Sequence, residues 1–321
     1  MARLHVDHKD LVKFANDRVN LPKEKADEYR AQARRLADKL ENYISEHPTF
    51  SIKRIMLSGS LAKGTALRSL NDVDMACYIS GAEAPTDVKE LLEYVAERLR
   101  TAFPNFKPDQ VKPQTYSITV SFMGSGLDVD IVPILYYGDK EWKGDLVSQE
   151  NGSYLETSIP MHLEFIRKRK SANHTHFSQV VRLIKFWTRK EKRERSDFRF
   201  KSFMVELVLA HLVDNGQDLS DYPEALQSFF TYLASSELRE KIIFTDYYSR
   251  NSVGNFKEPC QIIDPVNTSN NVAGLYTEMN LKVIAEAALD AGDAIDAALA
   301  ATTKEKTVYY WQKVFGSTFD V

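Results

Sequence analysis

Two short stretches set carboxylates two residues apart inside otherwise apolar runs: Asp72-Val73-Asp74-Met75-Ala76, and Leu127-Asp128-Val129-Asp130-Ile131-Val132-Pro133. Apolar runs of this length, broken by turn residues, read as strands, and strand residues i and i+2 project to the same face. Asp72 therefore points with Asp74, and Asp128 with Asp130. Carboxylates a few Å apart repel one another in a low dielectric unless they are protonated or bound to cations. A third carboxylate brought against the first pair gives hard oxygen ligands suited to paired Mg²⁺ or Mn²⁺. That set fits two-metal phosphoryl or nucleotidyl transfer. Taken alone, either pair also reads as a solvated strand end.

The elements around these pairs are those of a mixed sheet with helical cover. Residues 22–47 have a helical period, with Tyr29, Leu36, Leu40, Tyr43 and Ile44 recurring among Arg, Lys and Glu, and Pro48 ends the run. Residues 51–58 read as a strand broken by the glycines of GSLAKGT, 73–79 as a second strand, and 86–100 as an amphipathic helix. Residues 115–123 and 127–135 form a strand pair across the Gly124-Ser125-Gly126 turn. Beyond Pro160 the stretches 161–171, 175–192, 201–213, 223–234 and 275–301 all have helical composition or period. The expected division is a catalytic domain with an N-terminal helix at 1–160 and a helical domain at 161–321.

Composition narrows the function. The chain has 321 residues, 43% hydrophobic and 27% charged, which supports a sizeable core and excludes wholesale disorder. Lys and Arg number 42 against 45 acidic residues, so a general nucleic-acid coat is not expected. Two cysteines, Cys77 and Cys260, allow neither a disulfide scaffold nor a cysteine zinc site. His174 and His176 diverge on a helix and lack a third ligand. No run of about 20 apolar residues occurs, and the charged N-terminus lacks an apolar signal core, so the expectation is a cytoplasmic protein without membrane contact.

Gly59-Ser60, eleven further residues, Asp72-Val73-Asp74 and the later Asp130-Ile131-Val132-Pro133 resemble the polymerase-beta-like nucleotidyltransferase superfamily. The resemblance implies an α+β, bilobed fold with a mixed-sheet catalytic lobe and a mostly helical C-terminal lobe. It further implies that Gly59 and Ser60 hold the incoming triphosphate, and that Asp72, Asp74 and Asp130 are the catalytic metal ligands. Asp128 competes for the third position. The superfamily pattern puts the ligand immediately before the apolar pair and proline, which selects Asp130 and leaves Asp128 beside it or at the solvent edge.

In the second half, Arg182-Leu-Ile-Lys185-Phe-Trp187 followed by Lys201-Ser202-Phe203 and Glu206 resembles the triphosphate-binding helices of the template-independent branch. That branch includes oligoadenylate synthases and the bacterial cyclic-oligonucleotide synthases (CD-NTases) of anti-phage signalling. By this resemblance Lys185 and Ser202 meet the β- and γ-phosphates and Phe203 stacks on the base. Read alone, Lys185 is a lysine snorkelling at the border of an apolar helix face, Arg182 lies nearer solvent, and Phe203 is a core aromatic. The run 263–274 (IDPVNTSNNVAG) resembles the border of the nucleotide pocket, or simply caps a helix. Residues 182–201 carry nine Lys or Arg against three acids, which reads either as a solvated helix face and loop or as a basic rim for triphosphates, a nascent oligonucleotide or an activating protein.

The function expected is a Mg²⁺-dependent (or Mn²⁺-dependent) synthase that joins ATP and other nucleoside triphosphates into a cyclic di- to tetranucleotide messenger for a separate effector, releasing pyrophosphate. The alternative is an RNA 3′-end nucleotidyltransferase of the CCA-adding or poly(A) type.

Overall fold

Strand-like alternation at 72–80 and 127–136 is what the sheet is built on. The computed structural model describes residues 5–46, 51–80, 85, 87–147, 154–173 and 175–321. Pro48 and His174, and the side chain of Ile44, lie outside the described residues. The chain divides into two compact units, one of Leu21–Glu164 and one of Met1–Asn20 with Phe165–Val321. Residues 5–20 thus group with the C-terminal helices, where the expected boundary at 160 put them with the sheet.

Elements in chain order are α1 (His8–Phe14), α2 (Lys23–Glu46), β1 (Ser51–Leu57), α3 (Gly59–Lys63), β2 (Asp72–Ser80), α4 (Val88–Ala102), β3 (Val111–Pro113), β4 (Ile118–Phe122), β5 (Leu127–Tyr136), β6 (Gly144–Val147), β7 (Tyr154–Thr157), α5 (Ile159–Ala172), α6 (His176–Glu194), α7 (Ser202–Asp214), α8 (Tyr222–Ser236), α9 (Glu278–Ala300) and α10 (Lys304–Phe315). The sheet runs β1-β2-β5-β4-β3, with β6 pairing β5 and β7. β2 and β5 are parallel and the other pairings antiparallel. Sequence reading missed α1, α3, β3, β6, β7 and α10, most of them too short to show a period of their own.

In the sheet unit the two faces differ. Val73, Met75, Cys77 and Ile79 of β2, with Leu127, Val129 and Ile131 of β5, pack against Tyr29, Leu36 and Leu40 of α2 and Leu92, Val95 and Leu99 of α4. The opposite face carries a small cluster of Ala76, Tyr78 and Ile134 at one end and the aspartates at the other. A parallel strand pair is ordinarily covered by apolar residues on both faces. Here half of one face is given over to carboxylates. That is the first structural mark of a site.

The helical unit is held by aromatic packing. α6 presents Phe177, Val180, Val181, Ile184 and Trp187, all fully buried, and Trp187 meets Phe198 and Phe230 edge-on. The N-terminal segment belongs to this core: Phe14 packs against Phe186, Phe315 and Phe319, and Asn20 exchanges hydrogen bonds with Gln179.

Candidate active site

The register of β2 on β5 sets the geometry. Asp72 pairs with Asp128 and Asp74 with Asp130, so four carboxylates stand in a two-by-two array on one face. On the far side of β5, antiparallel β4 sets Thr119 opposite Asp130 and Ser121 opposite Asp128. Both hydroxyls donate, Thr119 Oγ1 to Asp130 Oδ1 at 2.5 Å and Ser121 Oγ to Asp128 Oδ1 at 2.6 Å. Each β5 aspartate is therefore oriented by its own hydroxyl. Sequence reading did not assign these two residues, although Thr119 and Ser121 at i, i+2 in an otherwise apolar strand carried the signal.

The array is electrostatically costly as it stands. Burial pushes the Asp130 carboxyl above the ordinary aspartate range; the Thr119 hydroxyl pulls it back, and the charges of Asp72 and Asp128 push it further up. Among the described residues no three His, Cys, Asp or Glu side chains are already drawn together as a cage. The aspartates share a face instead of converging on one point. Their chemistry nevertheless fits a hard divalent ion: all donors are carboxylate oxygens, and a cation relieves the repulsion that raises Asp130.

The Gly-Ser turn is locked to the same array. Ser58 N–H donates to the Asp74 carbonyl at 2.9 Å, which ties the end of β1 to β2 just before α3. Gly59 then takes φ +58°, and a Cβ built there would lie 1.8 Å from Asp74 Oδ2. Only a residue without a side chain lets the backbone pass that close to the carboxylate. Ser60 follows on the first turn of α3, half-buried.

In the helical unit Lys185 is buried, 9% exposed, whereas Ser202 is exposed at the first position of α7 and Phe203 is half-buried. Arg182 differs from the sequence expectation. It is half-buried, its guanidinium donates to Gln179 Oε1 at 2.8 Å, and burial lowers its pKa from the usual arginine value. The run 263–274 is bonded internally: Asp264 accepts from Val266 N–H and Asn270 Nδ2, and Asn271 bonds to Ile262, Cys260 and Ala273. These side chains shape a loop and are committed to it.

A mixed sheet carrying the Gly-Ser turn and paired aspartates defines a polymerase-beta-like nucleotidyltransferase. Residues 6–169 match the Second Messenger Oligonucleotide or Dinucleotide Synthetase (SMODS) domain, and the chain belongs to this family of cyclic-oligonucleotide synthases of CBASS antiviral defence. It is 65% identical over 319 residues, 99% of both chains, to the cyclic AMP-AMP-AMP synthase of Escherichia coli strain MS 115-1. Solved structures of E. coli MS115-1 CdnC with ATP and in a CdnC:HORMA-deltaN complex superpose with TM-scores of 0.95 and 0.94, at 65% and 64% identity, over 99% of this chain and 100% and 99% of those chains. The Vibrio cholerae DncV cyclic AMP-GMP synthase, at 10% identity, shares the fold with a TM-score of 0.72 over 100% of this chain and 98% of its own. The protein is thus a nucleotidyltransferase that uses nucleoside triphosphates to make a cyclic oligonucleotide. Among the described residues no helix is long and apolar enough to cross a membrane.

Proposed function

We propose that this enzyme joins three ATP molecules into a cyclic AMP trimer, with Asp72, Asp74 and Asp130 as the ligands of Mg²⁺ or Mn²⁺. The paired register of Asp72/Asp74 on Asp128/Asp130 carries the chemical part of this reading, and the 65% identity to a cyclic AMP-AMP-AMP synthase supports the product. A divalent ion bound there favours ionisation of the attacking ribose hydroxyl and offsets the charge gathering on the leaving pyrophosphate.

The protein's own residues do the rest. Gly59 brings the backbone of the turn against Asp74, and with Ser60 it binds the incoming triphosphate. Thr119 holds Asp130 in place, and its hydroxyl opposes the upward push that burial and the neighbouring charges give that carboxyl. Lys185 and Ser202 bind the β- and γ-phosphates, and Phe203 offers a face to the base. A HORMA-domain protein is the proposed activator, since the relative of 64% identity forms such a complex.

The test incubates purified protein with all four nucleoside triphosphates and Mg²⁺, with and without a HORMA-domain partner and with and without tRNA. Products are then treated with phosphatase and weighed by mass spectrometry. A phosphatase-resistant cyclic trimer of AMP, lost in Asp74→Asn and Asp130→Asn, is the expected result. A ring of other size or base, or growth of the tRNA 3′ end alone, would overturn the reading.

A further inference from the structure

The chemistry of the joining step creates a demand that Lys185 and Ser202 do not meet. In each step a ribose hydroxyl oxygen of the acceptor bonds to the α-phosphorus of the donor. The bridging bond from that phosphorus to the β-phosphate oxygen breaks, pyrophosphate leaves with the electron pair, and the hydroxyl proton passes to solvent. The acceptor keeps its own 5′-triphosphate. During each intermolecular joining step the enzyme therefore holds two triphosphates at once, one on the donor and one at the 5′ end of the growing chain; at ring closure the second becomes the donor.

The helical unit has cations left over for the second. At 100° and 1.5 Å per residue, Arg189 lies about 40° round α6 from Lys185, and Lys192 about 20° round and 10 Å further along. The three form one stripe. Arg199 stands in the segment between α6 and α7, close enough to Lys192 for the two charges to oppose each other. Among the described residues Arg189, Lys192 and Arg199 form no ion pair with a carboxylate, nor does Arg193, whereas Lys190 and Arg195 do. Lys190 is held by Glu191 and Glu194, and Arg195 by Glu191 and Asp290. The cations at the end of α6 thus divide into a neutralised flank and an open one.

The open flank is built, not loose. Phe198 and Phe200 are buried, 3% and 1% exposed, and anchor the segment on either side of Arg199. The next residue, Lys201, is fixed through its main-chain N–H, which donates to the hydroxyl of buried Tyr276 at 3.0 Å. Desolvation, and after it the charge of Arg199, hold Lys192 below the usual lysine range. An anion spanning Lys192 and Arg199 relieves their mutual repulsion.

We propose that Arg189, Lys192 and Arg199 bind the 5′-triphosphate of the growing linear oligonucleotide and keep it on the enzyme until ring closure. This rests on the nucleotidyl-transfer reading above. The test measures equilibrium binding of the linear dinucleotide pppApA, its dephosphorylated form ApA, and ATP, with Ca²⁺ replacing Mg²⁺ so that turnover does not intervene. It compares the wild type, Lys192→Ala/Arg199→Ala, and the charge-retaining Lys192→Arg/Arg199→Lys.

In the alanine double variant pppApA should weaken about tenfold or more while ApA and ATP hold within about threefold, and its log-log salt slope should fall by about 1.4, roughly 0.7 per cation removed. The charge-retaining variant should recover. Under turnover the alanine variant should release linear pppApA that the wild type retains. Unchanged preference for pppApA over ApA in the alanine variant would overturn the proposal. So would a loss confined to stimulation by an activating protein, which would assign the stripe to that partner. If the nucleotidyl-transfer reading itself were wrong, the wild type would make no small product at all, so the two failures are told apart.

Discussion

Gly59 is the residue with the least freedom to change. Its left-handed φ and its contact with Asp74 are separate constraints, and an alanine violates both. Gly59→Ala should cost about 2 kcal/mol or more in stability and push Asp74 out of line. Turnover should fall at least about a hundredfold, measured as kcat/KM for ATP beside a thermal melt. Asp130 behaves in the opposite way, because its raised pKa means that the ionised form is disfavoured in the metal-free fold. The folded state takes up this proton before the unfolded chain does. The Asp130 contribution to metal-free stability is therefore fully present below the unfolded-state pKa and is lost as pH rises through the folded one. At neutral pH Asp130→Asn should remove that penalty and raise the metal-free melting temperature while abolishing turnover. A melting temperature that falls would show that the carboxylate is not under strain.

The element that matters most is the β2-β5-β4 ribbon. Parallel pairing sets the four aspartates level, and antiparallel β4 brings one hydroxyl to each β5 aspartate. Removing the Thr119 hydroxyl takes away the interaction that lowers the Asp130 pKa and leaves those that raise it. Thr119→Val should keep the strand, since valine suits a pleated half-buried position, and shift the acid limb of the kcat/KM profile to higher pH. An unmoved limb would remove Asp130 from the titration that limits activity. α6 shows the same division of labour on a helix: one face is buried among aromatics, and the border carries Lys185 and the open cationic stripe. A period of 3.6 marks such a face in sequence. It does not show which cations find carboxylates, because those of Arg195 come partly from Asp290, 95 residues away.

At the scale of the whole chain, the N-terminal segment is part of the helical unit and not of the sheet that follows it in sequence. Phe14, 1% exposed, meets Phe315 and Phe319 from the other end of the chain. Phe14→Ala should cost about 3–5 kcal/mol by the cavity it opens. Amide exchange should rise in α6 and α10 while the strands of the sheet stay protected. Equal loss of protection in both units would show that they unfold together. Cys77 and Cys260 are both buried, and burial pushes both thiols up, Cys260 to about 12.

What the sequence determined by itself was local or periodic. Asp72 with Asp74, and Asp128 with Asp130, share faces because a strand repeats every two residues. α2, α4 and α6 were legible from their apolar stripes, and the order of Gly-Ser, Asp-Val-Asp and Asp-Ile-Val-Pro pointed to the right superfamily. Tertiary structure decided what depends on pairing between distant segments. The register that levels Asp74 with Asp130, the passage of Gly59 against Asp74, the hydroxyls of β4 and the docking of Phe14 each join residues whose spacing carries no local period. Main-chain hydrogen bonds between strands and close packing of side chains set those contacts, and both depend on which segments meet, which no single stretch of sequence specifies.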